Sequence, residues 1–113
     1  LQVAVMFAAV GNGGYRVQPS LVKQRQAQNQ RNSLNLKPET LQVLQQGLRS
    51  VVVEGTGQAL NSSTLPSVSG KSGTAEDPPR LTHAWFGAYA PSDNPKIVVV
   101  AFAENAGGGG GAI

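Results

Sequence analysis

The chain opens on an almost unbroken apolar run, Leu1, Val3, Ala4, Val5, Met6, Phe7, Ala8, Ala9 and Val10, which closes on Gly11-Asn12-Gly13-Gly14. A run of this kind ended by glycines predicts a helix over residues 1–11. A helix apolar all round has to be buried on every side, so the same run predicts a core element. Tyr15, Val17, Pro19 and Leu21 then alternate with polar residues, the period of an extended segment over 15–22, and Pro19 confines that segment to an edge. Residues 24–35 carry few apolar anchors and are expected to form a polar surface loop. A second helix is predicted over 38–54. Pro38 suits the first helical position, Glu39 complements the helix dipole, and Leu41, Leu44, Leu48, Val51 and Val52 recur at three- and four-residue spacings until Gly55. After a turn-rich stretch from Gly55 to Pro66, three strands are expected at about 67–74, 83–90 and 96–104. The last two are joined through the turn-forming cluster Pro91-Ser92-Asp93-Asn94-Pro95. The tail Gly107 to Gly111 is flexible unless other structure holds it.

Composition narrows the function classes. A chain of 113 residues with a 40% hydrophobic share supports at most one small domain. Its net charge of +3 comes without a dense basic run, which argues against a nucleic-acid partner. There is no cysteine, so a disulfide scaffold, a thiolate nucleophile and cysteine-ligated metals are excluded, and the lone His83 does not make a zinc site. No cofactor is called for. Nothing reads as a leader peptide, and the opening apolar run is shorter than the roughly 20 residues a spanning helix needs. Because the chain begins inside that run, with no start methionine and no helix cap, it is expected to be a fragment of a larger domain.

The chemistry concentrates in Gly70-Lys71-Ser72-Gly73-Thr74-Ala75-Glu76, after an extended segment and ahead of the aromatic strand His83-Ala84-Trp85-Phe86. Gly-Lys-Ser also ends the phosphate-binding loop pattern, but that pattern needs glycine where Leu65 stands, and no helix follows Ser72. The alternative is the Lys-[Thr/Ser]-Gly-Thr motif of penicillin-recognising enzymes, carried on a strand that lines an acyl-transfer site. A strand puts Lys71 and Gly73 on one face and leaves backbone groups to pair with an extended peptide, while glycine at 73 removes the side chain that would block that approach. Taken alone, these four residues fit a lysine in a glycine turn equally well.

Context decides between them. Leu1-Gln2-Val3-Ala4 through Asn12-Gly13-Gly14, Arg16 through Val22, Gly47 through Val52 with Gly55-Thr56-Gly57, Gly70 to Thr74, His83 to Phe86 with Tyr89-Ala90-Pro91, and Glu104-Asn105 before the glycines form six blocks. In that order they resemble the C-terminal part of the transpeptidase domain of elongation-type class B penicillin-binding proteins, the penicillin-binding protein 2 branch. The resemblance implies an α+β fold, a fragment of the penicillin-binding protein and serine β-lactamase-like transpeptidase fold, with an antiparallel sheet flanked by helices. It implies a serine acyltransferase that cross-links peptidoglycan stem peptides and is the target of β-lactams.

By the same resemblance, Lys71 supplies charge for the substrate carboxylate, and Ser72 and Thr74 offer it hydroxyls. Gly73 clears the approach, and the Thr74 backbone N–H is one of two oxyanion donors. The implied partners are the stem peptide, β-lactams, the rest of the domain and cell-wall elongation proteins. The implied location is the periplasmic side of a cytoplasmic-membrane anchor that this chain does not contain. Ser72 stands where many relatives carry threonine, and the family continues past the glycines where this chain stops at Ile113. A D,D-carboxypeptidase, a serine β-lactamase relative, or a non-catalytic module for β-lactam sensing or partner binding are the alternatives.

Two short matches to the family's remaining motifs are decoys. Ser20-Leu21-Val22-Lys23 fits Ser-x-x-Lys and Ser33-Leu34-Asn35 fits Ser-x-Asn. Ser-x-x-Lys works because a helix sets residues i and i+3 on one face, whereas Ser20 follows Pro19 in an alternating stretch. The nucleophile is therefore expected to be absent from this chain and the isolated fragment to be inactive. His83 is expected to be structural or substrate-positioning rather than a base, and at least one of Trp85 and Phe86 to be core. The apolar run Ile97 to Phe102, left as an unpaired edge, is expected to make the isolated fragment self-associate.

Overall fold

The computed structural model describes residues 1–23, 30–108 and 113. It contains helix α1 (Gln2–Gly11), strands β1 (Tyr15–Val17) and β2 (Arg31–Ser33), helix α2 (Pro38–Val53), a 3-10 turn (Gln58–Leu60), and strands β3 (Ser69–Asp77), β4 (Arg80–Ala90) and β5 (Ile97–Ala103). The sheet runs β3-β4-β5, antiparallel throughout, and β1 and β2 form a separate antiparallel pair.

Local chemistry accounts for the ends of α1. Asn12 closes the turn that follows it: its side-chain amide donates to the Tyr15 carbonyl at 2.8 Å, and its Oδ1 accepts the Tyr15 N–H at 2.9 Å. Gly13 and Gly14 sit at φ +94°, a backbone region that side chains with a Cβ rarely adopt. The helix is not buried all round within this chain. Phe7 and Ala9 are buried, but Leu1 and Met6 are 73% and 57% exposed, because β4 and its neighbours cover only one side of it.

Residues 31–33 depart from the expected polar loop. They pair with β1 in the register Tyr15↔Ser33, Arg16↔Asn32 and Val17↔Arg31. Every residue of β2 is exposed, so no apolar period marks it. The pairing rests on backbone bonds, extended by Leu34 N–H to the Gly14 carbonyl at 2.9 Å, and on the Arg31 guanidinium stacked 3.9 Å from the Tyr15 ring centre. The first part of that expected loop, and most of the glycine tail, lie outside the described residues.

The helix α2 begins with proline at its first turn and lies on the sheet. Arg49 Nη1 donates to the Val68 carbonyl at 2.8 Å, and Gln45 Nε2 reaches the Val10 carbonyl at 3.0 Å, so α2 is tied both to the entrance of β3 and to the end of α1. Val52 is wholly buried against Phe86 and Ala88, with Leu60 and Val68 packed around them. This cluster is the core on one face of the sheet. The other face receives Phe7 of α1, whose ring lies over Gly87. Strands β3 and β4 continue past their expected ends to a tight turn at Pro78-Pro79, where Asp77 faces Arg80.

Candidate active-site wall

Strand β3 is the edge of its sheet among the described residues, with β4 its neighbour on one side. Along that edge Lys71, Gly73 and Thr74 are exposed and Ser72 is half-buried. The register Lys71↔Gly87, Ser72↔Phe86, Gly73↔Trp85 and Thr74↔Ala84 fixes the faces. Lys71 and Gly73 share the α1 face with Gly87 and Trp85, whereas Ser72 lies on the side of Phe86, toward α2. Val3, Met6 and Phe7 of α1 complete a groove of about 280 Å³ over Lys71 to Ala75.

Within this wall the lysine folds back onto its own strand. Lys71 Nζ donates to the Ser72 carbonyl at 2.6 Å and lies 3.5 Å from Ser72 Oγ. Ser72 Oγ in turn is 2.9 Å from Thr56 Oγ1, which belongs to the Gly55-Thr56-Gly57 turn after α2. A hydroxyl and an ammonium so placed, at the open side of a strand, form a donor array suited to a carboxylate. Gly73 has no packing reason to lack a side chain: a Cβ there would meet only Trp85 Cβ, at an ordinary 3.6 Å. Gly87 and Gly70 differ, since a Cβ on Gly87 would stand 2.0 Å from Phe7 Cε2 and one on Gly70 2.7 Å from the Gly87 carbonyl.

His83 is engaged at both nitrogens. Its Nδ1 accepts the Asn105 N–H at 3.0 Å and its Nε2 lies 3.3 Å from Asp77 Oδ2. Asp77 is also held by Arg80, at 2.8 Å to Nε. This cluster pins the far end of the β3-β4 hairpin to the segment after β5, and His83 meets Phe102 at a tilt of 55° with ring centres 5.3 Å apart. Trp85, opposite Phe102 in the register, also packs on it with ring centres 4.6 Å apart, while Phe86 is the core aromatic.

The two decoys stay apart from the wall. Ser20 is outside any helix and bonds within its own turn, donating to the Val22 carbonyl at 2.7 Å. Ser33 lies on β2 and bonds to Asn35. Sequence patterns did not single out Thr56 as a site residue: the Gly-Thr-Gly turn reads as a helix stop, and its partner is 16 positions further on.

The antiparallel sheet with a helix on each face makes this an α+β architecture. The chain superposes with a TM-score of 0.86 on a subunit of a peptidoglycan synthase complex described as coordinating polymerization and crosslinking, at 36% identity over 98% of this chain and 20% of that one. The family model for the penicillin binding protein transpeptidase domain matches residues 1–113, and the chain belongs to that family. It is 34% identical over 129 aligned positions to penicillin-binding protein 2B of Streptococcus pneumoniae, covering 93% of this chain and 19% of that protein. To the peptidoglycan D,D-transpeptidase MrdA of Haemophilus influenzae it is 44% identical over 80 positions, covering 56% of this chain and 12% of that one. The chain thus spans about a fifth or less of the length of these relatives.

Proposed function

We propose that the chain forms the lysine-bearing wall of a peptidoglycan D,D-transpeptidase that works through an acyl-serine intermediate. A serine hydroxyl from another segment attacks the carbonyl between the last two alanines of a stem peptide. The C–N bond breaks, and D-alanine leaves with the proton that the serine gave up. An amine of a neighbouring stem then attacks the ester, the C–O bond to the serine breaks as the cross-link forms, and the amine gives one of its own protons to the serine oxygen. In this scheme Lys71 and the Ser72 and Thr74 hydroxyls hold the terminal carboxylate, or its counterpart in a β-lactam. Gly73 lets the peptide lie close, and the Thr74 backbone N–H stabilises the oxyanion.

The observation that carries the reading is the placement of Lys71 to Thr74 on β3, the edge of its sheet among the described residues, beside the groove, an arrangement in which an extended peptide can add as a strand. The reading extends to location and partners: a domain on the periplasmic side of a membrane-anchored protein, working beside other cell-wall elongation proteins. No helix among the described residues is long and apolar enough to cross a membrane, so the anchor in this reading lies in another segment.

Labelling by a fluorescent penicillin, read on a denaturing gel, tests the reading. A transpeptidase carrying this segment is expected to label stoichiometrically, and its Lys71→Ala variant to label on the order of a hundredfold more slowly with its folding intact. The 113-residue chain alone is expected not to label. A Lys71→Ala rate within twofold of wild type would reduce Lys71 to a turn residue, and a covalent band on the isolated chain that disappears with Ser20→Ala would make Ser20 the nucleophile.

A further inference from the structure

Thr56 lies outside the Lys-Ser-Gly-Thr strand, yet its hydroxyl is the partner of Ser72, with Oγ1 2.9 Å from Ser72 Oγ. We infer that Thr56 is a positioning residue that orients the Ser72 hydroxyl toward an incoming substrate carboxylate, an inference that rests on the transpeptidase reading above.

The turn that presents Thr56 is tied to α2 by backbone bonds. Gly55 N–H donates to the carbonyls of Ser50 and Val51, both at 3.1 Å, and Gly57 N–H to that of Val51 at 2.9 Å, so the turn closes on the last carbonyls of α2. A Cβ on Gly55 would stand 2.9 Å from the Val51 Cα and carbonyl oxygen, which leaves the backbone no room to relax with a larger residue there. The helix behind it is fixed by Val52, wholly buried in the core. Thr56 is therefore set relative to β3 by packing rather than by its own side-chain freedom.

Donor and acceptor arithmetic gives that placement a direction. Ser72 Oγ can donate one hydrogen and accept two. An ammonium only donates, so the Lys71 Nζ 3.5 Å away occupies an accepting position of Ser72 Oγ. If Thr56 takes the second accepting position by donating its own hydrogen, the Ser72 hydrogen is left for a group arriving at the β3 edge. An anion at that edge selects this arrangement, because it places Thr56 O–H, Ser72 O–H and the carboxylate in one chain of bonds polarised the same way. Without the Thr56 hydroxyl, Ser72 loses that partner and nothing on the α2 side holds its hydrogen toward the edge.

The test uses Thr56→Val, which keeps the shape and removes the hydroxyl, and Thr56→Ser, which keeps the hydroxyl. Both are made in the full-length transpeptidase. Acylation rates are measured for benzylpenicillin and for its methyl ester, whose carboxylate is masked. The expected result is a fall of about tenfold for the acid in Thr56→Val, the size of one charge-assisted hydrogen bond, seen as weaker binding with an unchanged acylation step. The ester should lose less than twofold, and Thr56→Ser should restore the acid rate.

The acid-to-ester ratio is internal to each preparation, so a partly unfolded variant still reports. In a Ser72→Ala background the Thr56→Val change should be silent. An acid rate within twofold of wild type, or equal losses for acid and ester, would overturn the inference while leaving the transpeptidase reading in place. A wild-type protein that penicillin does not label would overturn that reading and this inference with it.

Discussion

Replacing Gly87 by alanine puts a methyl group 2.0 Å from Phe7 Cε2 and 2.5 Å from Cδ2 and Cζ. These atoms belong to a flat ring that cannot fold out of the way as a flexible chain could. Reaching the 3.4 Å of ordinary contact requires α1 to lift from the sheet, or the ring to slide, by about 1.4 Å. Overpacking of this kind costs about 1–3 kcal/mol. Expelling the ring instead gives up its burial, worth about 1.5–3 kcal/mol. Either escape predicts a loss of about 2 kcal/mol, and both displace the α1 side of the groove, so penicillin acylation should slow as well.

Denaturant midpoints of Gly87→Ala, Phe7→Ala and the double variant, in a transpeptidase domain carrying this segment, isolate the contact. Without the ring the added methyl meets no obstacle, so the two losses should fail to add by at least about 1 kcal/mol. A Gly87→Ala protein within about 0.5 kcal/mol of wild type, or losses that simply add, would refute the close approach of α1 to β4.

At Gly73 the opposite outcome is expected. Its Cβ would meet only Trp85 Cβ at 3.6 Å, so Gly73→Ala should leave the melting temperature within about a degree while acylation by penicillin slows, and a large drop in stability would show that glycine serves packing there. The isolated 113-residue chain exposes Ile97, Val99 and Phe102 along β5, which pairs with β4 alone among the described residues. It should therefore run as a dimer or larger species in light scattering at micromolar concentration, and a cooperatively folding monomer would contradict this.

Burial pushes the Tyr89 phenol above its ordinary 10.0, an effect tempered by the neighbouring Ser69 hydroxyl, with which it makes no well-formed hydrogen bond. A raised folded-state pKa favours the neutral phenol. Its stabilisation is therefore complete below about pH 10 and is lost as pH rises through the folded value. Denaturant midpoints followed from about pH 8 to 11 should fall more steeply in wild type than in Tyr89→Phe, and parallel curves would place Tyr89 in contact with water.

Local periodicity in the sequence was enough to determine much of the molecule. Apolar spacing with Pro38 in front and Gly55 behind marks α2, because a helix writes its buried stripe every three to four residues. Lys71-Ser72-Gly73-Thr74 by itself reads equally well as a lysine in a glycine turn, and only its place among the other blocks makes it legible as a strand motif. The order of the six sequence blocks carries the family.

What only the tertiary structure decided are the contacts with no local period. Strand β2 is exposed on every residue and pairs through backbone bonds and one stacked guanidinium, so its composition reads as loop. The extension of β3 and β4 to Pro78-Pro79 is set by the partner strand rather than by propensity. Gly87 looks like any strand glycine until Phe7, 80 positions earlier, is laid over it. Thr56 looks like turn filler until α2 carries it to Ser72. In each case the deciding energy is a backbone pairing, a steric exclusion or a single hydroxyl contact between distant segments, and such terms leave no repeating mark along the chain for a pattern to reveal.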